Sequence, residues 1–209
     1  MTAIPIRVGV LLFDGFDLLD VTGPYEVLLT TNRIAERRGL APPFEVVTLA
    51  PGGHLVHAHG GLGVLPTMDS AAVDHLDVFV VPGTVDVDGA LADIDLIATV
   101  ATLAAASTTT TSVCTGAFLL AAAGLLVGRP ATTHHQDVAA LGRRPDVGSA
   151  SRRIRWVDDG DIVTGAGLAS SLSFGLHLVD RYAGRELALA TAVRIEHAWD
   201  PDGRDVAPR

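Results

Sequence analysis

The sequence predicts a three-layer α/β/α sandwich around a mostly parallel, flavodoxin-like sheet. Apolar runs of strand length, Ile6 to Phe13, Phe44 to Ala50 and Asp77 to Val81, alternate with stretches of helical period. These runs are nearly continuous, as expected of parallel strands covered on both faces. Between Thr108 and Phe118 a β-branched run ends at the only cysteine, Cys114, and a glycine-containing helix start follows. That order places Cys114 on a strand-to-helix turn, a nucleophile elbow.

Each element follows in order. Ile6 to Phe13 is the first strand, broken by Asp14-Gly15. Pro24 suits the first turn of a helix, which the spacing predicts from Pro24 to about Gly39. Asp20 then lies in the loop or at the helix start, just beyond the carboxyl end of the first strand. Phe44 to Ala50 is the second strand, ended by Pro51-Gly52-Gly53, and His57 to Pro66 reads as a short strand or hairpin with glycines at its turn. Asp77 to Val81 is closed by Pro82-Gly83-Thr84. A single helix is predicted over Ala90 to Ala106, a strand over Thr108 to Val113, and a glycine-closed helix over Ala117 to Gly124. Short strands are predicted over Ala131 to His135, Ile154 to Val157 and Ile162 to Thr164. Leu168 to Tyr182 and Glu186 to Trp199 are the expected closing helices.

The 209 residues fit one domain, 1–209, with a core over about 6–199. With 48% hydrophobic and 19% charged residues, a folded chain is expected. No apolar run is long enough to cross a bilayer, and the N-terminus lacks the basic flank of a signal peptide, so no membrane partner and a cytoplasmic location are expected. A net charge of −9 argues against nucleic-acid binding. All 15 basic residues are arginine, which removes lysine Schiff bases, pyridoxal phosphate anchoring and the P-loop lysine together. One cysteine excludes an intramolecular disulfide.

Three strand ends converge on one edge of the predicted sheet: Asp20, Gly83-Thr84 and Cys114-Thr115. Ligands bind at that edge in open α/β sheets. The helix after Cys114 turns its free N–H groups and partial positive charge toward the sulfur, which favours a thiolate. Asp20 is the candidate proton carrier. Ionised, it would raise the thiol's pKa, unless the two share a proton and titrate as a pair. The backbone N–H groups of Gly83 and Thr115 are candidate donors to a developing anion. Plainer readings stand beside these: a lone cysteine as a small buried hydrophobe, and Asp20 as a carboxylate that stabilises a helix dipole.

Of the 8 histidines, His57 and His59 would share a strand face, and His134-His135 follow two threonines. Only Asp137 falls at a plausible ligand spacing beside these pairs, so no metal site is expected. His134 or His135 is a candidate base for Cys114. Gly52-Gly53, Gly60-Gly61 and Gly165-Ala166-Gly167 read better as turns than as phosphate loops, and the last, with Leu168, opens a helix that borders the pocket.

The set Asp20-Val21-Thr22-Gly23-Pro24, Val81-Pro82-Gly83, Ser112-Val113-Cys114-Thr115-Gly116, Ala123-Gly124-Leu125-Leu126, Arg129-Pro130-Ala131-Thr132-Thr133-His134 and Thr164-Gly165-Ala166-Gly167 resembles the ThiJ/PfpI superfamily, with its class I glutamine-amidotransferase-like fold. Within it the chain looks most like isocyanide (isonitrile) hydratases, from about Ile6 to Trp199. The resemblance implies a homodimer that acts on a small molecule without cofactor or metal. Cys114 would add to the terminal carbon of R–N≡C to give a thioimidate. Asp20 would protonate the adduct and then activate water, releasing an N-substituted formamide. Thr115 and Gly83 would supply backbone donors, Thr84 would border the substrate, and Leu168 matches a pocket-side position. The chain departs from the family at Pro82-Gly83-Thr84, where Pro-Gly-Gly is frequent, and at His135, where a bulky aromatic is common. The same motifs occur in the sensor half of AraC-type regulators. The sequence ends at Arg209 with no second domain, so DNA binding is not expected. A stand-alone sensing or stress-response protein, or a cysteine hydrolase or glyoxalase-like enzyme, are the alternatives. Oxidation of Cys114 to a sulfinic acid is a further expectation, resting on a low thiol pKa.

Overall fold

The computed structural model describes residues 4–204. Its strands are β1 (Ile6–Leu11), β2 (Phe44–Ala50), β3 (Val56–His57), β4 (Gly63–Val64), β5 (Met68–Asp69) and β6 (Leu76–Val81), then β7 (Ser107–Val113), β8 (Pro130–Ala131), β9 (Ser149–Ala150), β10 (Trp156–Asp158) and β11 (Ile162–Gly165). Seven of them form the central sheet in the order β10-β11-β7-β6-β1-β2-β5. Every neighbouring pair runs parallel except the edge pair β10 and β11. The apolar runs explain the middle of the sheet: Val8, Val10, Leu49, Val78, Phe79 and Val80 are wholly buried. β7 is polar in composition yet central. Its threonines are β-branched, and two of their hydroxyls are bonded: Thr111 Oγ1 donates to Phe79 O at 2.9 Å, and Thr109 Oγ1 accepts from the Tyr182 hydroxyl at 2.8 Å.

The helices are α1 (Leu18–Arg37), α2 (Val87–Ala92), α3 (Ile94–Ala105), α4 (Gly116–Ala122), α5 (Val138–Leu141), α6 (Ser170–Ala183) and α7 (Arg185–Arg194). α1, α6 and α7 pack on one another in one layer, and α2, α3 and α4 in the other. The buried side chains form one continuous core. The predicted sandwich with its mostly parallel sheet is therefore the observed fold.

Four boundaries differ from expectation, each for a local reason. α1 begins at Leu18, so Pro24 lies inside it and Asp20 sits in its first turn. Proline removes one helical hydrogen bond there, and tertiary packing overrides the loss. The Ser171 hydroxyl of α6 donates to Leu19 O at 3.1 Å in the turn that proline weakens. The helix expected over Ala90 to Ala106 is two helices. Asp86 caps α2 through Gly89 N–H (2.9 Å) and Asp93 caps α3 through Leu96 N–H (3.0 Å), so each aspartate starts its own helix. The strand expected over Ala131 to His135 stops at Ala131, because Thr132 and Thr133 bond elsewhere: Thr132 N–H donates to Thr164 Oγ1 at 2.8 Å. At the end of the chain α7 stops at Arg194, and Trp199 stacks on Trp156 with ring centroids 6.5 Å apart instead of continuing a helix. The hairpin expected near His57 is present as β3 and β4.

α1 and α6 approach closely through two glycines. A β-carbon on Gly23 would collide with the Ser171 side chain, and one on Gly175 would lie 3.0 Å from the Pro24 backbone. Gly23→Ala is expected to destabilise the chain by about 1–3 kcal/mol through overpacking. Urea unfolding checks this; an unchanged midpoint would mean that the helices separate without cost.

Candidate active site

The elbow is built from the end of β7. Cys114 has φ +56, a left-handed conformation unusual for a residue with a β-carbon. Neighbouring segments hold it there. Its N–H donates to Gly165 O at 3.1 Å, and its carbonyl accepts the Thr133 hydroxyl at 2.7 Å. Gly116 then lets the start of α4 press on the end of β6, where a β-carbon would lie 2.8 Å from Pro82 O. The left-handed turn costs on the order of 1–3 kcal/mol and points the thiol at the sheet edge.

Gly83 is where the three strand ends meet. A β-carbon on it would lie 2.6 Å from Thr115 Oγ1, 2.7 Å from Thr115 N and 2.8 Å from Asp20 Oδ2. The Gly83 N–H donates to Asp20 Oδ2 at 3.1 Å. This corrects the expectation for Gly83: its N–H holds the carboxyl and is not turned to a substrate. Thr84 and Thr115 are tied reciprocally. Thr84 N–H donates to Thr115 Oγ1 at 2.8 Å, and that hydroxyl donates to Thr84 O at 2.8 Å. The Thr84 hydroxyl in turn donates to Gly15 O at 2.8 Å, pinning the loop after β1 to the loop after β6. The Thr115 N–H acts on the Cys114 sulfur and is the backbone donor of the site.

Asp20 is wholly buried. Burial, with a smaller push from Asp17, raises its pKa from 3.8 to about 7, against the Gly83 N–H, the Cys114 thiol and the Leu168 N–H, which pull it down. The thiol and the Leu168 N–H stand near the carboxyl without full hydrogen-bond geometry, and Oδ1 has no bonded partner. The Cys114 thiol is itself pushed far above its ordinary range, first by burial and then by the charge on Asp20, with the Thr115 N–H opposing. The expected thiolate at a helix end is therefore corrected: desolvation outweighs the dipole of the short α4 helix. The premise for easy oxidation to a sulfinic acid goes with it. Burial thus favours the protonated form of both groups, the thiol and the carboxyl.

A cavity of about 290 Å³ opens over the sulfur, lined among others by Asp17, Thr84, Thr115, His134, Asp137 and Leu168. Asp20 and Gly83 stand behind its wall. Leu168 precedes α6 instead of lying in it, with φ +49, because the chain turns there before Ser170. His134 lies in the turn after β8, and its Nδ1 is 3.3 Å from Asp137 Oδ2. Gly167 brings it to the sulfur: a β-carbon there would lie 2.6 Å from Cys114 Sγ and 2.7 Å from His134 Cδ2. His135 turns instead to a neighbouring cavity of about 460 Å³ with Arg153 and Arg155. A further cavity of about 540 Å³ lies across Thr84 between the β3–β4 hairpin and α3, and it contains none of the elbow residues. Among the described residues no group of three or more His, Cys, Asp or Glu is arranged to hold a metal ion, and no helix is long and apolar enough to cross a membrane.

The predicted Cys114, Asp20, Gly83, Thr84, Thr115, Leu168 and His134 thus all come together. Gly167 lies beside them, as its place next to Leu168 implied, and Asp17, Thr133 and Asp137 belong with them and were not assigned there from the sequence. Thr133 stands in the threonine block before His134, the one signal that pointed to it. Because the Asp20 pKa is raised in the folded state, its contribution to stability is full below about 3.8 and is lost as pH rises toward about 7. Asp20→Asn removes that loss. The stability of wild type relative to Asp20→Asn is expected to fall over this window and to level off above it; a pH-independent difference in urea unfolding would refute the raised carboxyl.

Residues 6–181 match the model of the DJ-1/PfpI family. The chain is 32% identical to the isonitrile hydratase of Pseudomonas putida, over 97% of this chain and 85% of that one. It is also 32% identical to the HTH-type transcriptional regulator GlxA of Rhizobium meliloti, covering 87% of this chain but only 55% of the regulator. Among solved structures, a ThiJ/PfpI family protein from Pseudomonas syringae superposes with a TM-score of 0.78 at 27% identity, over 96% of this chain and 78% of that one. The chain belongs to the DJ-1/PfpI family.

Proposed function

We propose that this member of the DJ-1/PfpI family hydrates a small isocyanide to the N-substituted formamide, with Cys114 as nucleophile. The observation that carries the reading is the left-handed cysteine elbow with a wholly buried carboxyl, Asp20, beside its thiol, where burial favours the protonated form of both. The likeness to isonitrile hydratase supports it. An isocyanide carbon accepts a nucleophile and must also gain a proton. Ionised Asp20 takes the thiol proton as sulfur bonds to the terminal carbon, then returns it to that carbon, giving R–N=CH–S–Cys114. Water adds across the C=N bond to give R–NH–CH(OH)–S–Cys114, and collapse releases R–NH–CHO and restores the thiol. One water is consumed and no electrons are exchanged, so these steps need neither metal nor cofactor. The Thr115 N–H stabilises sulfur whenever it carries charge, and Thr84 and Leu168 border the R group. A homodimer located in the cytoplasm completes the proposal; light scattering at twice the 21.7 kDa chain mass would support the dimer, and a monomer would remove it.

A second reading has its own support, since the chain also matches transcription regulators and spans about half their length. In that reading the pocket binds a small molecule without chemistry. Alanine at Cys114 separates the two. With an aryl isocyanide, wild type is expected to yield the formamide, Cys114→Ala none, and Asp20→Asn a rate lower by about 10²–10⁴-fold. Unreactive isocyanide, together with small-molecule binding that survives Cys114→Ala, would favour the sensor.

A further inference from the structure

The cavity of about 460 Å³ behind the elbow has no part in the hydration scheme, yet it shares a wall with the thiol. Thr133 and Gly167 form that wall. The Thr133 hydroxyl bonds the Cys114 carbonyl at 2.7 Å, and a β-carbon on Gly167 would lie 2.6 Å from Cys114 Sγ. The consecutive histidines divide between the two spaces, His134 lining the one over the sulfur and His135 the one behind it.

The charge of this cavity is opposite to that of the chain. The chain carries a net −9, but the described residues that line the cavity include Arg153 and Arg155 and no Asp or Glu. Arg155 is fixed in place. Its Nη1 donates to Ser170 Oγ at 2.9 Å, its backbone N–H donates to Gly203 O at 2.6 Å, and its carbonyl accepts Ala166 N–H at 2.8 Å. Arg153 is exposed and holds φ +58, a left-handed turn that is strained for any residue with a side chain. Only four non-glycine residues among those described have positive φ, and two of the others, Cys114 and Leu168, line the thiol cavity. Such strain gathers where a side chain must be aimed. The start of α6 adds partial positive charge at Ala169 and Ser170. Its first N–H groups already close short turns onto Gly167, Leu168 and Ala169, so the helix contributes charge more than donors.

We infer that this cavity binds a small organic carboxylate. The planar guanidinium groups of Arg153 and Arg155 match the two oxygens of a carboxylate. Val138, Ile154 and the small side chains of Ala166 and Ala169 give the rest of the lining an apolar character, which suits a short aliphatic or aromatic body. Inorganic phosphate would satisfy the arginines and leave that wall uncovered. The site requires nothing of Cys114, so it stands whether the thiol cavity catalyses or only binds.

The experiment titrates the full chain with benzoate, benzamide and inorganic phosphate at low salt, following ligand signals by NMR. Benzoate is expected to bind, benzamide to bind at least about tenfold more weakly, and added salt to weaken benzoate, because the recognition is by charge. Phosphate should bind less tightly than benzoate. Arg153→Gly should weaken benzoate by about tenfold to a hundredfold, the loss of a charged hydrogen-bonding partner. The same change relieves the left-handed turn, so its urea midpoint should be unchanged or higher, an opposition that a merely structural arginine would not show. Ala169→Trp, at an exposed position on the cavity wall, should fill the space and abolish binding in a folded chain. Cys114→Ala should keep it. Equal binding of benzamide, tighter binding of phosphate, or wild-type affinity in both Arg153→Gly and Ala169→Trp would overturn the inference. Loss of benzoate in Cys114→Ala with retention in Ala169→Trp would place the carboxylate over the sulfur and overturn it as well.

Discussion

The site depends on one close approach, the meeting of three chain segments at the α-carbon of Gly83. Asp20 from α1, Thr115 from the elbow and the backbone after β6 crowd the place where a side chain would begin. The hydrogen bond from Gly83 to Asp20 and the reciprocal bonds between Thr84 and Thr115 are possible only because that space is empty. A methyl group there would meet main-chain and carboxyl atoms with no freedom to move, so the whole junction would have to open. Glycine is required here by proximity and not by backbone conformation, since Gly83 is not among the residues of positive φ.

Two unfavourable features meet beside this junction: a left-handed cysteine, held by Gly165 and Thr133, and a carboxyl buried without a full set of partners. Buried groups of this kind are uncommon unless something else requires them. Here each makes the other useful. The thiol is kept protonated by burial and by Asp20, and Asp20 is brought near neutrality by burial and by Asp17. A thiolate stabilised in advance would be a weaker nucleophile toward a neutral carbon and would attract oxidants at rest. A proton passed within a dry pair avoids both.

Much of this was legible along the chain. Continuous apolar runs announced the parallel strands, and the passage from threonines through Cys114 to Gly116 announced the elbow. The convergence of Asp20, Gly83 and Cys114 followed from strand ends alone. What the sequence hid was the bookkeeping of individual donors. Nothing local says that the Gly83 N–H is already taken by Asp20, or that burial by distant segments reverses the effect of a helix end on the thiol. The early start of α1 was hidden for the same reason, since the group that supports the turn weakened by Pro24 is Ser171, far along the chain. His134 read as part of a strand because a Thr-Thr pair favours one. The pair leaves the sheet once Thr132 and Thr133 find hydrogen-bond partners at Thr164 and Cys114.

The proton pair and the rim of the cavity are written in different segments of the chain. Cys114, Asp20 and Gly83 sit at the ends of buried elements, whereas Val85 and Leu168 stand on loops and are exposed. Drift in the loops can therefore alter which molecule is admitted while the inherited thiol and acid stay untouched. A lineage with this layout can exchange one small electrophile for another, or lose chemistry and keep recognition, by changing a few surface residues. That this chain is similar both to an isonitrile hydratase and to about half the length of a transcription regulator is what such a separable design permits.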